Sequence, residues 1–245
     1  MSLIGLQVAL GRMVRAGNRA GTAALDDLDL SPSERDHLSR LLKSPGFRFT
    51  ASIQRSWCEG RAAKSAPLAL SMLSVDDRRR AIGDWADRGG GTNSFFLAEA
   101  DAFLAFLAGR LPDPSHALTI CQLERAILRA AEVAAPVNSP DIRELNDRPC
   151  LLRQGSHAAL VPFFAEPDRL LAAVQNKAAM PSLSPNVSPV LVAPGIPALA
   201  RPAEPAEMVL WQSLTEPMTI AALRHYGHVD HTIENFVTIG AAEVI

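Results

Sequence analysis

Aromatic side chains are scarce in this chain: they make up 5% of it, with a single tyrosine, Tyr226. A core must therefore be assembled mainly from Leu, Ala and Val. Positive charge is not in excess either. The net charge of -2 and a pI near 6.3 give no electrostatic reason to expect a nucleic-acid or anionic-membrane partner. Cysteines are few and scattered. Cys58, Cys121 and Cys150 show no CxxC spacing and an odd count, which argues against a disulfide framework or a zinc knuckle and for reduced, buried thiols in a cytoplasmic protein. No apolar run reaches the ~18 residues that a membrane span needs. The N-terminus, MSLIGLQVALGRMVRAG, carries Arg12 and Arg15 inside its apolar run rather than before it. That pattern predicts a helix and not an export signal.

Proline is unevenly spread. Five of the eighteen prolines precede residue 135 and thirteen follow it. Because proline is costly inside helices, the chain is expected to change class near Ala135, with a linker at Pro136-Val137-Asn138-Ser139-Pro140. The expected architecture is α+β: a helical bundle over 1–135, then a winged-helix-like domain with a small antiparallel sheet over 146–245.

The first part has legible helix starts. Leu3 to Ala16 is one helix. Ser31-Pro32-Ser33-Glu34 is a capping box that starts a second, stopping near Ser44-Pro45-Gly46. Thr50 is read as opening a third, through Ile53 and Trp57, and Pro67 a short fourth. Ser74-Val75-Asp76-Asp77 caps a fifth, ended by Gly89-Gly90-Gly91. Asn93 or Ser94 opens an apolar sixth, and Asp113-Pro114 a last helix assigned to the bundle. Trp57 and Trp85 are expected in the core.

In the second part, Leu151 to Arg153 and Ala158 to Phe164 read as strands. Pro167-Asp168 starts a short helix, and 177–188 is a Pro/Ser-rich loop. Val190 to Ala193 and Ile196 to Arg201 read as a hairpin around Pro194-Gly195. Three helical patterns follow. The first holds Met208, Trp211 and Leu214; Thr219 opens the next, and Asp230 the third, with Ile233, Phe236 and Val237 on one face. Three such helices beside a small sheet usually bind DNA. This tail is acidic: from Glu204 to Ile245 the one Lys or Arg is Arg224, against six carboxylates (Glu204, Glu207, Glu216, Asp230, Glu234 and Glu243). A helix that enters a DNA groove needs cations against the phosphates.

Candidate chemical motifs are weak. His225, His228 and His231 form HxxHxxH, and imidazoles three apart could share a helix face and hold zinc or iron. Gly227 and Asp230 place a helix break inside the motif, so an inter-helix turn is the expected reading. Arg78-Arg79-Arg80 beside Asp76-Asp77 reads as a solvated face of i,i+3 and i,i+4 pairs. Gly89-Gly90-Gly91-Thr92 lacks the GK[ST] of a phosphate loop and is expected to be a flexible connection. Asp113-Pro114-Ser115-His116 is a helix start rather than a nucleophile–base pair. Cys58 has only Arg61 as a nearby cation, too little to make it a nucleophile. No catalytic residue, cofactor site or metal site is expected in the chain.

Two resemblances bear on function. The hairpin Val190 to Arg201, followed by MVLWQSL, TIAALRHYG and TIENFVTIGAAEVI, resembles the peptide-recognition element of ribosomal-peptide-modifying systems. The segments SPSERDHLSRLLKSPGFRFTASIQRSWCEGRAAKSAPLAL and WADRGGGTNSFFLAEADAFLAFLAGRLPDPSHALTICQLERAILRA are similar to partner proteins of multinuclear non-haem iron peptide-modifying enzymes. Within that group the pattern is nearest the companion of the enzyme that excises a cysteine β-carbon in 3-thiaglutamate biosynthesis. It is more distant from the methanobactin oxazolone-forming companion. The resemblance implies a non-catalytic subunit that forms a heterodimer with an iron-dependent TIM-barrel-like enzyme and presents a carrier or precursor peptide to it, the iron lying in the partner. It also implies that the peptide adds as a strand along Ile196, Ala198, Leu199, Ala200 and Arg201 and rests on Ile233, Phe236 and Val237. A winged-helix transcription regulator and a small His-ligated metalloenzyme are the alternatives. Neighbouring open reading frames separate the three: an iron-oxygenase-like barrel beside a short cysteine-bearing peptide, or a palindromic divergent promoter.

Overall fold

A computed structural model of the chain describes residues 3–16, 30–91, 96–134 and 150–245. The fold class is α+β, helices first and small antiparallel sheets among helices after. No helix among the described residues is long and apolar enough to cross a membrane. The chain forms two compact units, 1–106 and 107–245.

The first unit is helical: α1 (Leu3–Ala16), α2 (Pro32–Lys43), α3 (Pro45–Ser65), α4 (Pro67–Ser71) and α5 (Val75–Asp87), with α6 (Phe96–Ala108) running across the division. The capping box at Ser31 forms as expected. Its hydroxyl accepts from Glu34 N–H at 3.3 Å, and Glu34 accepts from Ser31 N–H at 2.9 Å. Ser74 caps α5 in the same way, accepting from Asp77 N–H at 3.1 Å. The stop at Ser44-Pro45 is also a start. Ser44 accepts from Phe47 N–H, so α3 begins five residues before Thr50. Proline at the first helical position loses no intrahelical bond. The expected caps of α6 and the linker at 136–140 lie outside the described residues.

One core cluster of this unit joins Ala9, Met13, Leu38, Phe47 and Ala51. A second contact set is aromatic: Trp85 meets Phe103 edge-on at 5.6 Å and Phe106 at 5.3 Å. The Gly89–Gly91 turn presses on this region instead of merely linking two helices. A Cβ at Gly90 would sit 2.2 Å from the Trp85 ring. Gly91, at φ +78°, would place one 2.8 Å from Cys58. The Cys58 thiol donates to the Gly90 carbonyl at 3.1 Å.

The second unit holds α7 (His116–Ala130), β1 (Leu152–Gln154), β2 (Ala159–Val161), α8 (Pro167–Gln175), β3 (Val190–Val192), β4 (Ala200–Pro202), α9 (Pro205–Ser213), α10 (Ile220–His225), α11 (Asp230–Thr238) and β5 (Ala242–Val244). α7 groups with the sheets and not with the bundle to which the proline distribution assigned it. It lies against β2 and β3, and the Thr119 hydroxyl donates to the Pro162 carbonyl at 3.1 Å. The three-stranded sheet has the order β2-β3-β4, antiparallel throughout. β5 pairs with β1, antiparallel. The core of this unit collects Leu152, Leu191, Ile196, Leu210, Leu214, Ile220, Leu223, Ile233, Phe236, Val237 and Ala241.

Two glycine substitutions in the first unit should have opposite signs. Gly91→Ala is expected to cost about 1–3 kcal/mol through the clash and the left-handed backbone. Gly60→Ala, in mid-α3 where a Cβ meets nothing within 4 Å, should gain up to ~1 kcal/mol of helix propensity. Urea unfolding of both variants checks this, and a Gly91→Ala protein as stable as the parent contradicts the packing account.

Candidate functional site

The segment expected to be one edge strand is divided. Pro197–Leu199 forms a single 3-10 turn, and only Ala200–Pro202 is strand. Proline fixes its own φ, and Ala198 and Leu199 then take left-handed values, +58° and +66°. Gly195 anchors the turn: its N–H donates to the Ile239 carbonyl at 2.9 Å, and a Cβ there would meet Ile239 Cα at 2.6 Å. The alternation expected along Ile196 to Arg201 is therefore replaced by a tight corner.

Of the eight residues expected to touch a peptide, four meet inside the core. Ile196, Ile233, Phe236 and Val237 belong to one buried cluster. Val237 also lines a surface groove of about 260 Å³, shared with Pro194 and Val244. Ala198 is exposed, and Leu199 and Ala200 are half-buried. The guanidinium of Arg201 is engaged within the unit. It donates to Glu207 at 2.7 and 2.5 Å, a fork on a carboxylate that is only 2% exposed. Glu207 also accepts from Glu204 N–H at 2.9 Å and from Asn235 Nδ2 at 3.3 Å. Burial pushes the Glu207 carboxyl up, but these donors, Arg201 foremost, hold it below the ordinary carboxylate value.

The pleat settles which backbone groups face outward. Ala193 N–H donates to Leu199 O and Ala203 N–H to Pro189 O, both at 3.0 Å, so 189, 191 and 193 on β3 face β4. Residues 190 and 192 then face β2, where their register partners are Val161 and Ala159. Ala200 on β4 and Leu160 on β2 point their N–H and C=O away from β3. Pro202 adds only a carbonyl to the β4 edge.

A groove of about 230 Å³ runs beside the β2 edge, lined by Gln122, Arg125 and Arg129 of α7 and by residues 157–162. Sequence reasoning missed it, because nothing in the spacing of Arg125 and Arg129 ties them to a strand. Among the described residues the lining contains no carboxylate.

On the first unit, α3 carries two apolar stripes. Phe47, Ala51, Cys58 and Ala62 are buried. Phe49, Ile53 and Trp57 are 66%, 42% and 67% exposed. Trp57 is thus a surface residue and not a core one. The three lie at i, i+4 and i+8, one above another on one helix face. Their exposed area is on the order of 300–400 Å², comparable to the largest apolar patch of an ordinary monomer.

The other candidate motifs lie in varied settings. His225 meets Tyr226 edge-on at 6.0 Å, His228 Nε2 lies 2.9 Å from the Ser213 hydroxyl, and His231 is exposed in the first turn of α11. Burial lowers the His228 pKa. Among the described residues no three His, Cys, Asp or Glu side chains are grouped as metal ligands. Burial pushes the thiols of Cys58 and Cys121 up to about 11 and about 12, so neither is a ready thiolate. Ser115 caps α7, and buried His116 donates through Nε2 to the Pro181 carbonyl at 2.8 Å. Arg79 and Arg80 face Asp76 and Asp77 across solvent, and Arg78 Nε donates to the Leu70 carbonyl. Arg224 forms a two-point pair with Asp230 at 2.6 and 2.8 Å. No family model and no curated protein sequence matches the chain.

Removing the buried acid gives a direct test of this site. Glu207→Gln should cost about 3 kcal/mol. The folded pKa of Glu207 lies below its unfolded value. Its stabilisation is therefore complete above the ordinary carboxylate pKa and is lost as pH falls through the folded value. Denaturant titrations should show a wide gap between parent and variant at pH 7 and a narrower one below about pH 4; a pH-independent gap contradicts the assignment.

Proposed function

We propose that this chain is a non-catalytic recognition subunit. Its second unit binds a ribosomally made carrier or precursor peptide by strand addition to the three-stranded sheet. Its helical unit docks on an iron-dependent, TIM-barrel-like oxidative enzyme in the cytoplasm. The subunit presents the peptide's C-terminal cysteine for β-carbon excision of the 3-thiaglutamate type. The iron belongs to the partner.

The observation that carries this reading is the exposed Phe49–Ile53–Trp57 stripe on α3. Two aromatic rings and an isoleucine stacked on one exposed helix face are a surface that a protein partner covers. Gly46 and Gly60 border it with open space around them, so a second backbone can approach closely. The outward-facing groups of Ala200 and Leu160 supply main-chain pairing for a peptide. The acidic third helix weighs against a DNA reader: α11 carries Asp230 and Glu234, and the one arginine of the tail is already paired.

Co-expression with the products of adjacent reading frames tests the reading. The chain should co-purify with an iron protein. Phe49→Ala with Trp57→Ala should weaken that complex about a hundredfold or more while leaving circular dichroism and thermal midpoint near the parent's. A complex that survives the double substitution, or the absence of any iron-containing partner, overturns it.

A further inference from the structure

Helix α3 leaves a continuous outer face. Steps of three and four residues in turn, from the second residue of the helix, reach Gly46, Phe49, Ile53, Ser56, Gly60 and Ala63. All six are exposed and none is charged. The residues that face the core, Phe47, Ala51, Cys58 and Ala62, lie on the other side of the helix. A 3-4 spacing is the seam along which two helices pack knobs into holes. We infer that this seam pairs antiparallel with the same seam of a second copy of the chain, and that the pair shields the apolar face until another protein takes the copy's place. The pairing stands alone, while the displacement rests on the recognition-subunit reading.

The seam complements itself in one direction. Its large residues, Phe49 and Ile53, lie in the first half, and its small ones, Ser56, Gly60 and Ala63, in the second. A twofold axis midway between Gln54 and Arg55 sets Phe49 on Gly60 of the second copy, Ile53 on Ser56 and Gly46 on Ala63. Each large side chain then finds a small one opposite, as close packing requires. Gly46 and Gly60 have open space where a Cβ would stand, so the two backbones can come close. A parallel pair would set Phe49 on Phe49 and Gly60 on Gly60, bulk against bulk and gap against gap.

The flanks permit the antiparallel pair. Trp57 comes over Thr50 of the second copy and Glu59 lies beside Ser52, so no like charges meet. The parallel pair would bring Lys64 to Glu59 of the second copy. That carboxylate is already held by Arg55 at 2.7 Å, and an exposed ion pair adds little. Area sets the strength. Phe49, Ile53 and Trp57 offer about 300–400 Å² from each copy, so about 600–800 Å² in all, against the ~1,200 Å² at which stable interfaces begin. The pair is therefore weak and exchangeable, as a cover that a larger interface displaces must be.

Sedimentation velocity of the full chain from about 1 µM to 1 mM should show a reversible passage from monomer to dimer. Gly60→Trp fills the position that receives Phe49. It should weaken the dimer at least about tenfold with an unchanged thermal midpoint. Direction is read by disulfide trapping in a Cys150→Ser background. Gly46→Cys mixed with Ala63→Cys should cross-link. Neither variant should link to itself, because about 25 Å separates like positions in the antiparallel pair. Self-linking of each variant, or a monomer at every concentration, overturns the inference and leaves the recognition reading untouched. A dimer indifferent to Gly60→Trp also overturns it. The iron protein co-expressed from the adjacent reading frame should dissolve the untrapped dimer. A trapped dimer that binds that protein as tightly as the parent does overturns the displacement and the docking assigned to α3, but not the pairing.

Discussion

A single buried carboxylate organises the C-terminal unit. Glu207 lies on α9 and is almost wholly removed from water, yet it is held ionised by the fork of Arg201 on β4, by Glu204 N–H and by Asn235 on α11. A charge in that position is tolerable only while all three elements stay in place. The sheet, the first of the three terminal helices and the last are thereby locked into one arrangement. Around this lock Leu191, Leu210, Ile233 and Phe236 close the core. The same bond engages the Arg201 guanidinium within the unit. A basic residue at a sheet edge is not evidence of a ligand when a buried acid lies six residues away.

Much of the fold was legible because helix starts have local chemistry. Ser31, Ser74 and Thr219 each cap the helix that the sequence places after them. The run beginning at Val190, read as one arm of a hairpin, is a strand over Val190–Val192, wholly buried and central in its sheet. Long-range facts were not legible. Helix α3 has two apolar stripes, and periodicity does not say which one faces the core. Size favours Phe49 and Trp57, yet the smaller Ala51, Cys58 and Ala62 are the ones that pack inward. Proline density placed the class change near Ala135, whereas contacts divide the chain at 106 and 107, because the α7 stripe matches the sheet. The corner at Pro197–Leu199 was hidden because alanine and leucine do not advertise left-handed backbone. The groove beside β2 depends on a registry between helix and strand that no local pattern encodes.

The two units suit different tasks. The first displays an apolar face on α3, which fits a standing protein–protein contact. The second displays strand edges, which fit an extended segment of varied sequence. Cys58, His116, His228 and Ser115 are engaged in hydrogen bonds within their units. In the proposed complex the reactive metal and its oxidant belong to the partner, and this chain sets which cysteine reaches them.

Iron content and turnover, measured together on the purified chain with and without its co-expressed partner, test that claim most directly. The account predicts substoichiometric iron and no peptide conversion for the chain alone. It predicts iron-dependent conversion of a cysteine-terminated peptide once both proteins are combined. Stoichiometric iron with turnover by the isolated chain would contradict it.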